Sequence, residues 1–193
     1  MQVTLIRHGK TAGNLERRYT GVTDAPLCPE GRAEAERARK DVTRSTVYVS
    51  PLKRARETAA ILFPNAEQIV VEDLHEMDFG DFEGRTADEM VNDPVYRKWV
   101  DDLCEGACPN GESQAGFRER VTRAFTEALQ TIDADALFVV HGGVIMAIMA
   151  ELAEPKKDFY DWYTPNLCGY RATVRSGPSG IVLFDVQPVR YPQ

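Results

Sequence analysis

Ala136-Leu137-Phe138-Val139-Val140-His141-Gly142-Gly143 holds five apolar residues without polar alternation, then a histidine and two glycines. A strand apolar at every position is buried on both faces, as in a parallel sheet covered by helices on each side. Behind the glycines, the apolar run Val144 to Leu152 predicts a helix. In front, Ser113 to Ile132 carries Phe117, Val121, Ala124, Phe125, Leu129 and Ile132 at helical spacing. A buried strand between two helices is the repeating unit of an α/β fold.

The same unit recurs toward the N-terminus. Val3 to Ile6 predicts a strand, Pro29 to about Val42 a helix, Thr46 to Ser50 a strand, and Leu52 to Leu62 a helix stopped by Pro64. Gln68 to Val71 predicts another short strand, and Glu72 to Arg85 reads as a long acidic loop. A helical region follows from Thr86 to about Cys104, interrupted at Asp93-Pro94 and ended by Gly106 to Gly111. Two late strands, Leu167 to Val174 and Ile181 to Val186, turn at Gly177-Pro178-Ser179-Gly180 and predict an antiparallel edge hairpin. The expected architecture is a three-layer α/β/α fold with a mostly parallel central sheet. With no repeat, low-complexity tract or linker, residues 1–193 read as one domain.

Ligands of open α/β sheets bind outside the carboxyl ends of the strands. There the first strand presents Leu5-Ile6-Arg7-His8-Gly9, and a later one Val140-His141-Gly142. The glycines let backbone approach a ligand closely, and Gly142 at a helix start offers N–H groups to an anion. Ser50-Pro51-Leu52-Lys53-Arg54 at a third strand end places Arg54 in the first turn of a helix facing the same rim. The constellation reads as an anion site with a potential nucleophile in it.

Composition narrows the partners. The net charge of −7 and the absence of a basic stripe argue against nucleic acid, while a local cationic pocket still suits a small phosphorylated metabolite. No apolar run approaches the roughly 18–20 residues of a membrane span, and the N-terminus lacks signal-peptide character. Cys28, Cys104, Cys108 and Cys168 form no CxxC pair, and with three histidines in the chain a metal site is poorly supported. The thiols read as reduced, which fits a cytoplasmic protein. The sequence leaves a homo-oligomer open.

Arg7-His8-Gly9, the Ser50-to-Thr58 segment, Val140-His141-Gly142, Tyr19-Thr20-Gly21 with Asp24, Leu27 and Gly31, and Leu74-His75-Glu76 with Phe79-Gly80 and Glu83-Gly84 resemble the histidine phosphatase superfamily, the phosphoglycerate mutase-like fold. Within it, Glu76 to Gly84 and Pro109-Asn110-Gly111-Glu112-Ser113 look most like the α-ribazole phosphatase branch. The resemblance implies that His8 becomes transiently phosphorylated, with Arg7, Arg54, His141 and the Gly142 N–H around the phosphoryl oxygens. Asn14 would orient the phosphate or the nucleophile, and Thr20 and Gly21 match a substrate-contacting position. Glu76 would be the general acid, although Asp78, Asp81 and Glu83 are acidic rivals in its own loop. No cofactor is implied.

The resemblance also implies a phosphomonoesterase, with removal of the 5′-phosphate of α-ribazole phosphate suggested by the branch-like motifs. Other sugar phosphates or phosphoglycerate are alternatives, as is a mutase. Mutases of the family are usually longer, and about 50 residues follow His141 here, so hydrolysis is expected. Lys10 departs from the Glu or Gln of many relatives and would add a cation if it faced the cleft. Phe82, Tyr96 and Trp99 offer an aromatic wall for a benzimidazole-like base.

Overall fold

Six strands form one sheet in the computed structural model, which describes residues 1–39, 44–178 and 180–191. In chain order these are β1 (Gln2–Arg7), α1 (Ala12–Leu15), α2 (Pro29–Ala38), β2 (Thr46–Val49), α3 (Lys53–Leu62) and β3 (Glu67–Val70). Then come α4 (Pro94–Asp101), α5 (Gln114–Gln130), β4 (Ala136–Val140), α6 (Gly142–Leu152), β5 (Cys168–Gly177) and β6 (Gly180–Arg190). The sheet order is β3-β2-β4-β1-β5-β6. β1, β2, β3 and β4 pair in parallel, and β5 is antiparallel to both β1 and β6, as the α/β reading expected.

β4 is buried at all five positions, and its side chains alternate between two cores. Phe138 and Val140 join Val3 and Leu5 under α5 and α6 on one face. Leu137 and Val139 join Ile6, Val47 and Val49 under α2 and α3 on the other. The second core is closed by small residues, Ala35 and Ala38 of α2 and Ala55 and Ala59 of α3, which let these helices lie close to the sheet. On the first face Phe138 stacks on Tyr48 at 4.9 Å between ring centroids and meets the edge of Phe125 at 5.1 Å.

Several boundaries differ from those expected. α2 ends at Ala38, and the expected continuation to Val42 lies outside the described residues, as does Ser179 of the hairpin turn. The region from Thr86 to Cys104 breaks at Asp93-Pro94 as expected, but its first part is not an α-helix. A 3₁₀ turn at Asp88–Met90 precedes α4, whose N-cap Asp93 accepts from the N–H groups of Val95 and Tyr96. The chain leaves α4 at Asp102, and Leu103 and Cys104 adopt positive φ, so Cys104 and Cys108 do not share a helix. The acidic loop contains 3₁₀ turns at Glu72–Leu74 and Gly80–Phe82. β6 runs on to Arg190 through Pro188, which an outermost strand tolerates because it is paired on one side only.

All four cysteines are unpaired, and Cys28 serves as N-cap of α2, its Sγ accepting from the Gly31 N–H at 3.3 Å. Burial raises the Cys104 thiol pKa and pushes that of Cys108 up to about 12. Among the described residues no helix is long and apolar enough to cross a membrane. Phe138→Ala should lower the unfolding free energy by about 3–5 kcal/mol in urea titrations, because it removes a fully buried ring and leaves Tyr48 and Phe125 facing a cavity. A loss under about 1 kcal/mol would show that the site collapses around the deletion.

Candidate active site

The sheet order brings three strand ends together. The His8 N–H donates to the Val140 carbonyl at 2.9 Å, and the Ser50 N–H donates to the Val139 carbonyl at 3.2 Å. β2, β4 and β1 therefore terminate at one level, with Ser50, His141 and His8 as the next residue of each. His141 is the N-cap of α6, with extended backbone at φ −118° and ψ 167°. Its ring lies 5.1 Å from that of His8, centroid to centroid.

The hydrogen bonds assign both tautomers. His8 Nδ1 lies 2.6 Å from the Gly9 carbonyl, which only accepts, so Nδ1 carries the proton and Nε2 the lone pair. Arg54 Nε donates to His141 Nδ1 at 3.2 Å, so His141 Nε2 is protonated and donates to Ser50 Oγ at 2.6 Å. The pKa values of both imidazoles are held well below 6.5, first by burial, then by the nearby Arg54. Arg7 adds to the effect on each. Both rings are thus neutral near pH 7.

Arg54 is 1% exposed. Its Nη1 donates to the Thr23 carbonyl at 2.8 Å and its Nη2 to the Gly21 carbonyl at 2.6 Å, with Thr20 O 3.5 Å away. Thr20 and Gly21 thus hold Arg54 through their backbone, and the Thr20 hydroxyl donates to Arg18 O at 3.2 Å. Thr58, four residues after Arg54 on the same helix, accepts from the Gly9 N–H at 2.9 Å and donates to the Arg54 carbonyl at 2.6 Å.

Glu76 reaches the same rim from the acidic loop. Its two carboxyl oxygens accept from the Gly143 N–H at 2.9 Å and from the Met77 N–H at 3.0 Å. A Cβ at position 143 would stand 2.3 Å from Glu76 Oε1, so this approach requires glycine. The neighbouring Gly142 N–H makes no hydrogen bond among the described residues. The acidic rivals are otherwise engaged. Glu83 accepts from the N–H groups of Gly21, Val22, Thr23 and Phe79 and from the Thr23 hydroxyl. Asp78 accepts from the Gly80 N–H, and Asp81 from the Asn110 amide. His75 donates from Nδ1 to the Glu76 carbonyl at 2.9 Å.

Arg7 donates from Nη1 to the Thr164 carbonyl at 2.8 Å, and its guanidinium stands 5.7 Å from the Tyr163 ring centroid. Arg7 Nε is buried without a hydrogen-bond partner among the described residues. Asn14 closes a capping box with Thr11 at the start of α1, its Oδ1 accepting from the Thr11 N–H at 3.1 Å. Arg7 and Asn14 border a cavity of about 310 Å³ with Tyr19, Tyr163 and Asn166 on its walls.

Two expectations resolve differently. Lys10 turns from the cleft to α2, where Nζ pairs with Glu30 at 2.7 Å and Glu34 at 2.8 Å, and both contacts raise its pKa. Phe82, Tyr96 and Trp99 do not form a ligand wall. They are 1%, 7% and 6% exposed and pack with Tyr19 inside the core beneath the acidic loop. Tyr163, 62% exposed beside Arg7, and the partly buried Tyr19 are the aromatics that line the cavity. The segment from Tyr163 to Asn166 carried no periodicity or motif to mark it.

Known proteins share this chain's plan. It is 34% identical over 164 residues to a 2,3-bisphosphoglycerate-dependent phosphoglycerate mutase 2 of Gloeobacter violaceus, covering 78% of this chain and 74% of that one. It is 30% identical over 160 residues to the adenosylcobalamin/alpha-ribazole phosphatase of Salmonella typhimurium, covering 79% of each. The crystal structure of an alpha-ribazole phosphatase from Shigella flexneri superposes with a TM-score of 0.80 at 26% identity, over 95% of this chain and 94% of that one. The family model of the histidine phosphatase superfamily (branch 1) matches residues 3–185. Two histidines at the ends of the adjacent strands β1 and β4 and an arginine on α3, the helix after the neighbouring strand β2, agree with that match, and the chain belongs to the histidine phosphatase superfamily.

Proposed function

We propose that the protein hydrolyses phosphomonoesters through a phosphohistidine at His8, with α-ribazole 5′-phosphate or its cobamide adduct as the substrate and His141 completing the pocket. The observation that carries the reading is the His8 Nδ1 bond to Gly9, which leaves Nε2 as an unprotonated nucleophile in a cationic surround. Nε2 attacks phosphorus as the ester P–O bond breaks, and Glu76 gives its proton to the leaving alkoxide. Glu76 then takes a proton from water, whose oxygen attacks phosphorus and releases His8 and inorganic phosphate. Splitting the displacement in two lowers each barrier. Arg7, the free Gly142 N–H and the hydrogen left on Arg54 Nη1 stabilise charge on the phosphoryl oxygens. His141, held neutral between Arg54 and Ser50, fixes the guanidinium and closes the pocket. No cofactor takes part in this scheme.

The alpha-ribazole phosphatase relatives support the substrate assignment, and the 310 Å³ cavity beside Arg7 offers room for its organic half. The mutase relative in Gloeobacter violaceus favours a second reading, in which the phosphoryl group returns to a substrate hydroxyl instead of to water. A kinetic panel of α-ribazole 5′-phosphate, 3-phosphoglycerate and simple sugar phosphates, run on wild type and His8→Ala, tests both. Wild type should show its highest kcat/KM on α-ribazole 5′-phosphate, with His8→Ala slower by at least about 10³-fold. An equal kcat/KM on sugar phosphates would remove the substrate, and an active His8→Ala protein would remove the nucleophile.

Glu76→Gln should lower kcat by about 10²–10⁴-fold on an alkyl phosphate and much less on p-nitrophenyl phosphate, whose leaving group needs no proton. Equal losses on the two would rule out proton donation by Glu76.

The neutral imidazoles also set a pH dependence. Their folded pKa values lie below the unfolded value of 6.5, so the unfolded state binds more protons as pH falls. Their contribution is complete above about pH 6.5 and is lost as pH falls below it. The drop in unfolding free energy between pH 7.5 and 5.5 should therefore be smaller in His8→Gln than in wild type. Identical drops would show that His8 takes up a proton over that range as readily in the native state as in the unfolded chain.

A further inference from the structure

The turn between the last 3₁₀ segment, Phe159–Trp162, and β5 lies alongside the end of β1. Thr164 accepts from Arg7 Nη1, and the Leu167 N–H donates to the Arg7 carbonyl at 3.0 Å. Between these contacts Asn166 uses its amide twice. Nδ2 donates to the His8 carbonyl at 2.9 Å and to Asn14 Oδ1 at 3.3 Å. An amide NH₂ has two hydrogens, and the two acceptors use both. Leu167, the next residue, is buried and holds φ at +57°, a conformation rarely adopted by a branched side chain. Strain of this kind persists only where surrounding contacts enforce it.

The effect falls on Asn14. An asparagine amide can be turned over with little change in shape, exchanging its oxygen and its NH₂. Here Oδ1 receives two donors, the Thr11 N–H and Asn166 Nδ2. Turning the amide over would set NH₂ against those donors and leave both unpaired. Asn14 Nδ2 is thus the group left for the cavity it borders with Arg7. It is a donor, and an anion at Arg7 needs donors.

We infer that Asn166 is a positioning residue, which, itself anchored on the His8 carbonyl, locks the Asn14 amide with its NH₂ toward the phosphoryl group. The inference rests on the phosphohistidine reading of the site. Asn166 itself need not touch the substrate.

A double-mutant cycle tests it. Asn14→Ala, Asn166→Ala and the double variant are compared with wild type in p-nitrophenyl phosphate turnover and in calorimetric binding of inorganic phosphate. Asn166→Ala should weaken phosphate binding and lower kcat/KM about tenfold each, the effect of one misdirected hydrogen bond. In the Asn14→Ala background the same change should cost under about threefold, because groups that act through one another are non-additive. Asn166→Asp, similar in shape but without donors, should lose at least as much as Asn166→Ala. Additive effects across the cycle, or an Asn166→Ala protein with wild-type phosphate affinity, would overturn the inference. A protein that merely folded less well would show its deficit equally in both backgrounds. If wild type binds phosphate but turns over no ester, the hydrolase reading fails while the binding cycle still decides the role of Asn166.

Discussion

Arg7 stands opposite Val140 in the parallel ladder of β1 and β4, and the ladder's next hydrogen bond runs from the His8 N–H to the Val140 carbonyl. The geometry at the strand ends descends from that register. Side chains alternate along a strand, so a slip of one residue would exchange the faces of β1 and send Leu5 and Ile6 to the wrong cores. It would also separate the two imidazoles. Two apolar cores therefore police the alignment of two polar rings, and the stability of the sheet is what keeps the site assembled.

Burial at such a site carries a cost. Arg54 is almost wholly enclosed, and desolvation lowers its pKa while Glu76, Glu83 and Asp24 oppose the change. The same enclosure keeps both histidines neutral. A buried guanidinium beside imidazolium would be unfavourable, and beside neutral imidazole it finds an acceptor instead, His141 Nδ1. The rings' neutrality and the arginine's burial thus support each other. The carbonyls of Gly21 and Thr23 complete the solvation of Arg54 in place of water.

How much of this could be read from residues alone depends on where each residue lies. His8, His141 and Arg54 sit where an apolar run gives way to a turn or helix, and the register of a parallel sheet brings such places together. Lys10 was ambiguous because direction at a turn depends on contacts with α2 that no local pattern encodes. The aromatic residues of the acidic loop and α4 misled for a related reason. Phe82, Tyr96 and Trp99 supply a core under an irregular segment, where no period separates inward from outward positions. Thr164 and Asn166 were invisible because their contacts reach back more than 150 residues in an irregular turn. Glu76 differs from Asp78, Asp81 and Glu83 in reaching the first turn of α6, a contact across 67 residues that no pattern in its own loop encodes.

Glu83 draws the N–H groups of Gly21, Val22, Thr23 and Phe79 onto one carboxylate. Gly21 and Thr23 are the residues whose carbonyls grip Arg54. Each of these two peptide segments is therefore pulled from both sides, by an anion at its N–H and a cation at its oxygen. The loop behaves as an insulated relay between a charge outside the pocket and a charge inside it. In a survey of inactive variants Glu83 would pass for a member of the reacting set, although it lies one loop removed from the chemistry.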